Sequence, residues 1–197
     1  MTGVLTLRFT PAPPALTSLE DAALVLLAQR GGDDAFDELV KRHAPKLHAV
    51  AKRIVGTEEA HDVVQEAFIN AYRALPKFLG ESQFTTWMHR ITLNCCYARL
   101  RKHPEMSVDL ELPLDLSFAG VTPIEVSENR DLRAALEAAL ARINQDFRET
   151  FVLIEFGQLD YASAAQVLQV ELGTVKSRMN RARAALRDIL EEWGYRP

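Results

Sequence analysis

Residues 103–129 divide this chain. They hold Pro104, Pro113 and Pro123, no lysine, no arginine, and six carboxylates: Glu105, Asp109, Glu111, Asp115, Glu125 and Glu128. Proline lacks a backbone donor and biases the residue before it away from helix. No sustained apolar period runs through the stretch. A chain of 197 residues interrupted in this way reads as two small folded units with a linker between them. The expected boundaries are a loose tail at 1–17, a first domain at 18–103, a flexible acidic linker at 104–126 and a second domain at 127–197.

On both sides of the linker apolar residues recur at helical spacing, and no strand pattern, repeat or low-complexity tract stands out. The expected fold class is all-α: two small helical domains joined by the linker, the C-terminal one a helix-turn-helix. In the first domain a short helix starts at Ser18 and stops before Gly31-Gly32. A longer one covers about 33–55, where Pro45 should kink or split it. Thr57 can cap a helix at about 58–75, which ends before Pro76. A loop at 78–83 and a helix at 84–102 follow. The second domain should hold helices at about 127–143, 146–155, 161–168 and 172–192.

Charge is uneven. The net value of −4 argues against a protein that simply coats nucleic acid. Yet residues 173–190 carry Lys176, Arg178, Arg181, Arg183 and Arg187 against Asp188 alone, and residues 90–102 carry Arg90, Arg99, Arg101 and Lys102 with no acid. Two basic segments flanking an acidic tether predict two separate contacts with nucleic acid. No apolar run approaches the ~20 residues that span a bilayer. The stretch 1–17 is broken by Pro11, Pro13 and Pro14 and lacks the apolar core of a secretory signal, so a cytoplasmic protein is expected. Cys95 and Cys96 are adjacent and would point about 100° apart on a helix, a poor disulfide and a poor metal clamp. Buried or half-buried thiols in a reducing compartment are expected instead.

Helices at 161–168 and 172–192 with a tight turn between them have the layout of a helix-turn-helix. On the last helix Val175, Met179, Ala182, Leu186 and Ile189 share one face. Lys176, Asn180, Arg183 and Arg187 share an exposed flank, with Ser177 and Arg181 beyond it. Such a helix can bury its apolar stripe and still offer cations, an amide and a hydroxyl to a DNA groove. A basic face with no partner is the plainer reading.

Two further strings stand out. In 62–75, Val64, Phe68, Ala71 and Leu75 form a buried stripe, while Asp62, Gln65, Glu66, Ile69 and Arg73 lie opposite. By itself that is a helix with a mixed, solvated face. In 78–94, Phe78, Phe84 and Trp87 surround a loop of Leu79, Gly80, Glu81, Ser82 and Gln83, and a basic helix follows. Aromatic groups beside a flexible loop suit single-stranded DNA, whose bases can be stacked and read at their edges. The plainer reading makes Phe84 and Trp87 core residues.

The string Gly173-Thr174-Val175-Lys176-Ser177-Arg178, followed by Arg181-Ala182-Arg183, resembles the region 4 recognition helix of bacterial RNA polymerase sigma factors of the extracytoplasmic-function group. The string 62–75 resembles their region 2.2, and 78–94 resembles regions 2.3 and 2.4. The likeness covers roughly 34–102 and 132–190. It implies a transcription initiation factor that binds core RNA polymerase and promoter DNA, reads the −35 and −10 elements and melts the latter. By the same resemblance Asp62, Gln65, Glu66, Ile69 and Arg73 dock on polymerase. Leu79, Gly80, Glu81, Ser82 and Gln83, with Arg90 and Asn94, meet −10 DNA. Thr174, Lys176, Ser177, Arg178, Arg181 and Arg183 meet −35 DNA. An anti-sigma factor, often linked to a membrane, is the implied inhibitor, and the acidic linker would thread the channel that nascent RNA later occupies.

The chain departs from the family pattern at Ala162-Ser163-Ala164, where acids are usual, at Ile143-Asn144-Gln145, at Glu171 opening the recognition helix, at His61, and at Leu79, where arginine is frequent. Two rival readings compete with this one. A sensor-linked helix-turn-helix regulator explains the last helices but not 62–75 or 78–94. A nuclease using His43, His48, His61, Asp62 and Glu66 lacks any metal or nucleophile signature. The reading is therefore no enzyme, with no catalytic residue, cofactor, metal or small-molecule substrate.

Overall fold

The structure is a computed structural model that describes residues 15–103 and 124–195, with the backbone alone for 124–130. The expected tail before residue 15 and the expected linker at 104–123 lie outside the described residues. Eight α-helices appear among those described: α1 (Asp21–Gln29), α2 (Asp33–Val55), α3 (Thr57–Ala74), α4 (Phe84–Lys102), α5 (Ile124–Arg142), α6 (Gln145–Glu155), α7 (Tyr161–Leu168) and α8 (Leu172–Glu192). No strand occurs among the described residues.

Local chemistry explains most boundaries. Gly56, at φ +86°, ends α2 and precedes α3 in a backbone conformation that glycine adopts without strain. Thr57, expected as a cap, is instead the first helical residue. The Asn144 side chain caps α6 by accepting from the Asp146 N–H at 2.9 Å, and Asp160 caps α7 by accepting from the Ser163 N–H at 2.7 Å. Gln169 turns left-handed, at φ +55°, and makes the tight corner between α7 and α8.

Three expectations need correction. α2 runs unbroken through Pro45. α5 begins at Ile124, so the last residues of the expected linker are helical. The residues just before α1 are anchored rather than loose: Leu16–Ser18 form a 3-10 turn. Arg42 of α2 donates to the carbonyls of Leu16, Thr17 and Leu19 at 2.7–3.0 Å and pairs with Asp21 and Glu38.

α1–α4 form one helical unit and α5–α8 another. Leu39, Leu47, Val50, Val63, Ala67 and Met88 are fully buried in the first, and Leu153, Val152, Val175 and Met179 in the second. The two units touch, with α4 against α7 and α2 against α5 and α6. Arg53 of α2 pairs with Glu137 of α5 and its guanidinium carbon sits over the Phe156 ring, 3.4 Å from its centre. Tyr97 of α4 donates to Glu149 of α6 at 2.6 Å. Gly157 presses on His89 so closely that an added Cβ would stand 2.8 Å from His89 Nε2 and 2.5 Å from the Leu153 carbonyl. This seam explains why α4 is buried on most sides.

Candidate polymerase and DNA surfaces

Three surfaces carry the candidate residues. On α3 the expected stripe of Val64, Phe68, Ala71 and Leu75 is buried, and Asp62, Gln65, Glu66, Ile69 and Arg73 are all exposed. Gln65, Ile69 and Arg73 line one side of an open groove of about 780 Å³. The opposite side comes from Phe36, Val40 and Ala44 of α2, at a spacing of four that places them on one helix face. Tyr72 stands in the groove 49% exposed, held by donation to Asp33 at 2.8 Å and an edge contact with Phe36. Lys41, His48 and His61 complete the groove. Asp62 and Glu66 do not line it. Asp62 lies 4.0 Å from Arg99 of α4. The α2 wall and Tyr72 were missed in sequence, although an aromatic among charged positions is the signal that points to them. An apolar floor with polar edges is the anatomy of a protein-binding site.

The second surface is the loop ahead of α4. Leu79 is 81% exposed, and Gly80 takes φ +74°. Glu81 and Gln83 are exposed and Ser82 half-buried. Beneath the loop Phe84 is buried, and Trp87 is half-buried against Phe78 with ring centres 4.6 Å apart. The aromatic group thus serves mainly as the loop's platform. Arg90 and Asn94 are exposed one turn apart on α4. His89, between them and the seam, donates from Nδ1 to the Thr85 carbonyl at 2.8 Å. Its Nε2 is buried with no hydrogen-bond partner, and burial pushes its pKa down to about 4. Cys95 and Cys96 are buried free thiols, and burial raises both pKa values.

The third surface is α8. Val175, Met179, Ala182 and Leu186 are buried, as their spacing predicts, and Ile189 is half-buried. Lys176, Ser177, Arg181 and Arg183 are exposed, and Thr174 and Arg178 half-buried. Sequence did not reveal that two cations are tied to α6: Arg178 to Asp146 at 2.6 Å and Arg183 to Glu155 at 3.0 Å. A carboxylate that holds a guanidinium in place limits its rotamers. Among the described residues no cluster of histidine, cysteine or carboxylates could hold a metal, and no helix is long and apolar enough to cross a membrane.

Residues 39–104 match the family described as sigma-70 region 2, and residues 133–186 match sigma-70 region 4. The chain is 39% identical over 189 residues to the RNA polymerase sigma-H factor of Pseudomonas aeruginosa, covering 89% of this chain and 96% of that one. It is 36% identical over 177 residues to the ECF RNA polymerase sigma-E factor of Escherichia coli, covering 85% and 93%. Two solved structures share the fold at 28% identity. CnrH in complex with the cytosolic domain of CnrY matches at a TM-score of 0.68, over 87% of this chain and 97% of that one. The sigma factor RpoE in complex with the anti-sigma factor NepR from Bartonella quintana matches at 0.63, over 79% and 96%.

Proposed function

The chain belongs to the sigma-70 family, in its extracytoplasmic-function group, and from that premise we propose how its surfaces divide the work of promoter-specific initiation. It binds core RNA polymerase, recognises −35 and −10 elements and melts the −10 DNA, working in the cytoplasm and performing no covalent chemistry itself. The carrying observation is that one chain pairs an open apolar groove, edged by polar groups on α3, with a cationic helix-turn-helix.

In this reading a helical element of polymerase lies over α3. Ile69 and the groove floor supply apolar contact, Gln65 and Arg73 the polar edge, and Asp62 and Glu66 the attraction for basic groups on the partner. α8 enters the major groove of the −35 element. Lys176, Arg181 and Arg183 grip phosphates, while Thr174, Ser177 and Arg178 approach base edges. The loop of Leu79, Gly80, Glu81, Ser82 and Gln83 receives an unpaired −10 base, and Arg90 and Asn94 hold the strand.

Two promoter elements lie apart along DNA, so the units joined at the seam must separate when both are engaged. We assign the closed arrangement to the resting factor. The CnrH and RpoE structures are both complexes, the latter with an anti-sigma factor, which supports a dedicated inhibitor that covers the α3 face and α8 together. Reconstituted transcription tests the proposal. The full chain added to core polymerase should direct initiation at specific genomic promoters, and Asp62→Lys with Glu66→Lys should remove it. DNA binding with no effect of core polymerase would instead favour an ordinary regulator.

A further inference from the structure

α1 lies ahead of the segment that matches region 2 and outside all three candidate surfaces. It packs against the Leu75–Lys77 turn and the start of α4. Its last residue, Gln29, is half-buried, and its amide nitrogen donates to the Leu75 carbonyl at 2.9 Å and the Phe78 carbonyl at 2.8 Å. Those carbonyls stand on either side of the turn from which the 79–83 loop springs. One side-chain amide therefore fixes the base of the loop, using both N–H donors that a glutamine has.

Beyond that clamp, α1 and the loop enclose a cavity of about 810 Å³. Leu26 of α1 and Leu79 of the loop both line it, and both are large apolar side chains left mostly in solvent, at 54% and 81% exposure. Glu20 and Glu81 line it as well. Glu20 occupies the capping position of α1 without capping it, so its carboxylate has no structural duty there. Apolar surface from two elements suits the flat face of a base. Ionised carboxylates only accept hydrogen bonds, which favours an amino group and repels a phosphate.

We infer that α1 is the second wall of the −10 base pocket, that Gln29 is the positioning residue that sets the loop's stance, and that the occupant is an unpaired base carrying an exocyclic amine. The inference rests on the −10 role proposed for the loop. It adds that specificity is set partly by a helix outside the segment that matches region 2.

The test uses holoenzyme assembled from the full chain and core polymerase, transcribing a promoter library randomised across the −10 element. Gln29→Glu keeps size and removes both donors. It should reduce discrimination among the four bases at one −10 position by about tenfold while core binding and affinity for −35 duplex stay unchanged. Glu20→Gln and Leu26→Ala alter exposed positions and carry the test if Gln29→Glu folds poorly. Glu20→Gln should weaken preference for amine-bearing bases (adenine, cytosine or guanine) over thymine at that same position. Equal loss of transcription across all bases would mark a structural role and overturn the inference. If a graft of the 79–83 loop changes base preference but none of these three variants does, α1 falls and the −10 reading stands. If neither the graft nor the variants change it, both fall.

Discussion

The N-terminal unit, α1–α4, and the C-terminal unit, α5–α8, bury their apolar stripes by the same helical rule but present different material to partners. The first leaves an apolar groove open between α2 and α3, with Tyr72 49% and Ile69 44% exposed. The second turns a cationic flank outward on α8 and holds two of its arginines with acids of α6. An apolar groove gains from water release and is little affected by salt, whereas a cationic helix gains from counterion release and weakens steeply with salt. One molecule can thus keep a protein partner while exchanging DNA sites.

The contrast holds only if the seam leaves each unit with its own core, which the largest effect probes. Leu39 of α2 and Leu153 of α6 are each fully buried, and replacing either with alanine should cost about 2–5 kcal/mol. Trp87 reports on the first unit and Trp193 on the second. Urea unfolding followed at each tryptophan should show the larger shift in the substituted unit and a smaller one across the seam. Fully independent transitions would show that the seam contributes nothing.

Next in size is the protein-binding side. Reversing Asp62 and Glu66 to lysine should weaken core polymerase binding about 10–100-fold, roughly 1.4–2.8 kcal/mol, with helicity retained. Affinity for −35 duplex should not fall with it. Unchanged co-purification with polymerase would move the docking site off α3.

The seam itself should respond to acid. His89 is neutral in the folded protein down to about pH 4, whereas in the unfolded chain it takes a proton near pH 6.5. The unfolded state therefore binds more protons between those values, and stability falls as pH drops through that window. Between pH 7.5 and 5.5 the loss should be about 1 kcal/mol, measured by urea unfolding. His89→Leu should flatten that slope, and an equally steep slope in the variant would assign it to other groups.

The smallest effect is the most diagnostic of the charged side. Alanine at Arg181 should lower the slope of log affinity against log salt by about one unit on every promoter alike. Substitutions in the groove should leave that slope alone. A promoter-dependent loss at Arg181 would recast it as a base reader.

Much of this was legible in the sequence where one rule governed. The bounds of α4, α7 and α8 follow from apolar spacing and terminal residues, and the buried stripes of α3 and α8 stand where the period puts them. Pro45 does not split α2, because a proline stops a helix only when nothing repays the lost donor. Here Leu39, His43, Leu47 and Val50 bury themselves on both sides of it, and Pro45 lines the open groove. The clamps escaped altogether. Gln29 reaches carbonyls 46 and 49 residues away, and Arg53 meets Glu137 84 residues on. Neither residue type nor local spacing marks such pairs, since only the folded path brings them together.

The seam has a thermal consequence. Val152, Leu153 and Leu159 belong to one continuous apolar cluster with Leu39, Val50 and Met88, and Phe156 lies under Arg53. Parting the units exposes apolar surface, so opening carries a positive heat capacity change. The balance between closed and open forms then curves with temperature, with closure strongest at an intermediate temperature and looser on either side.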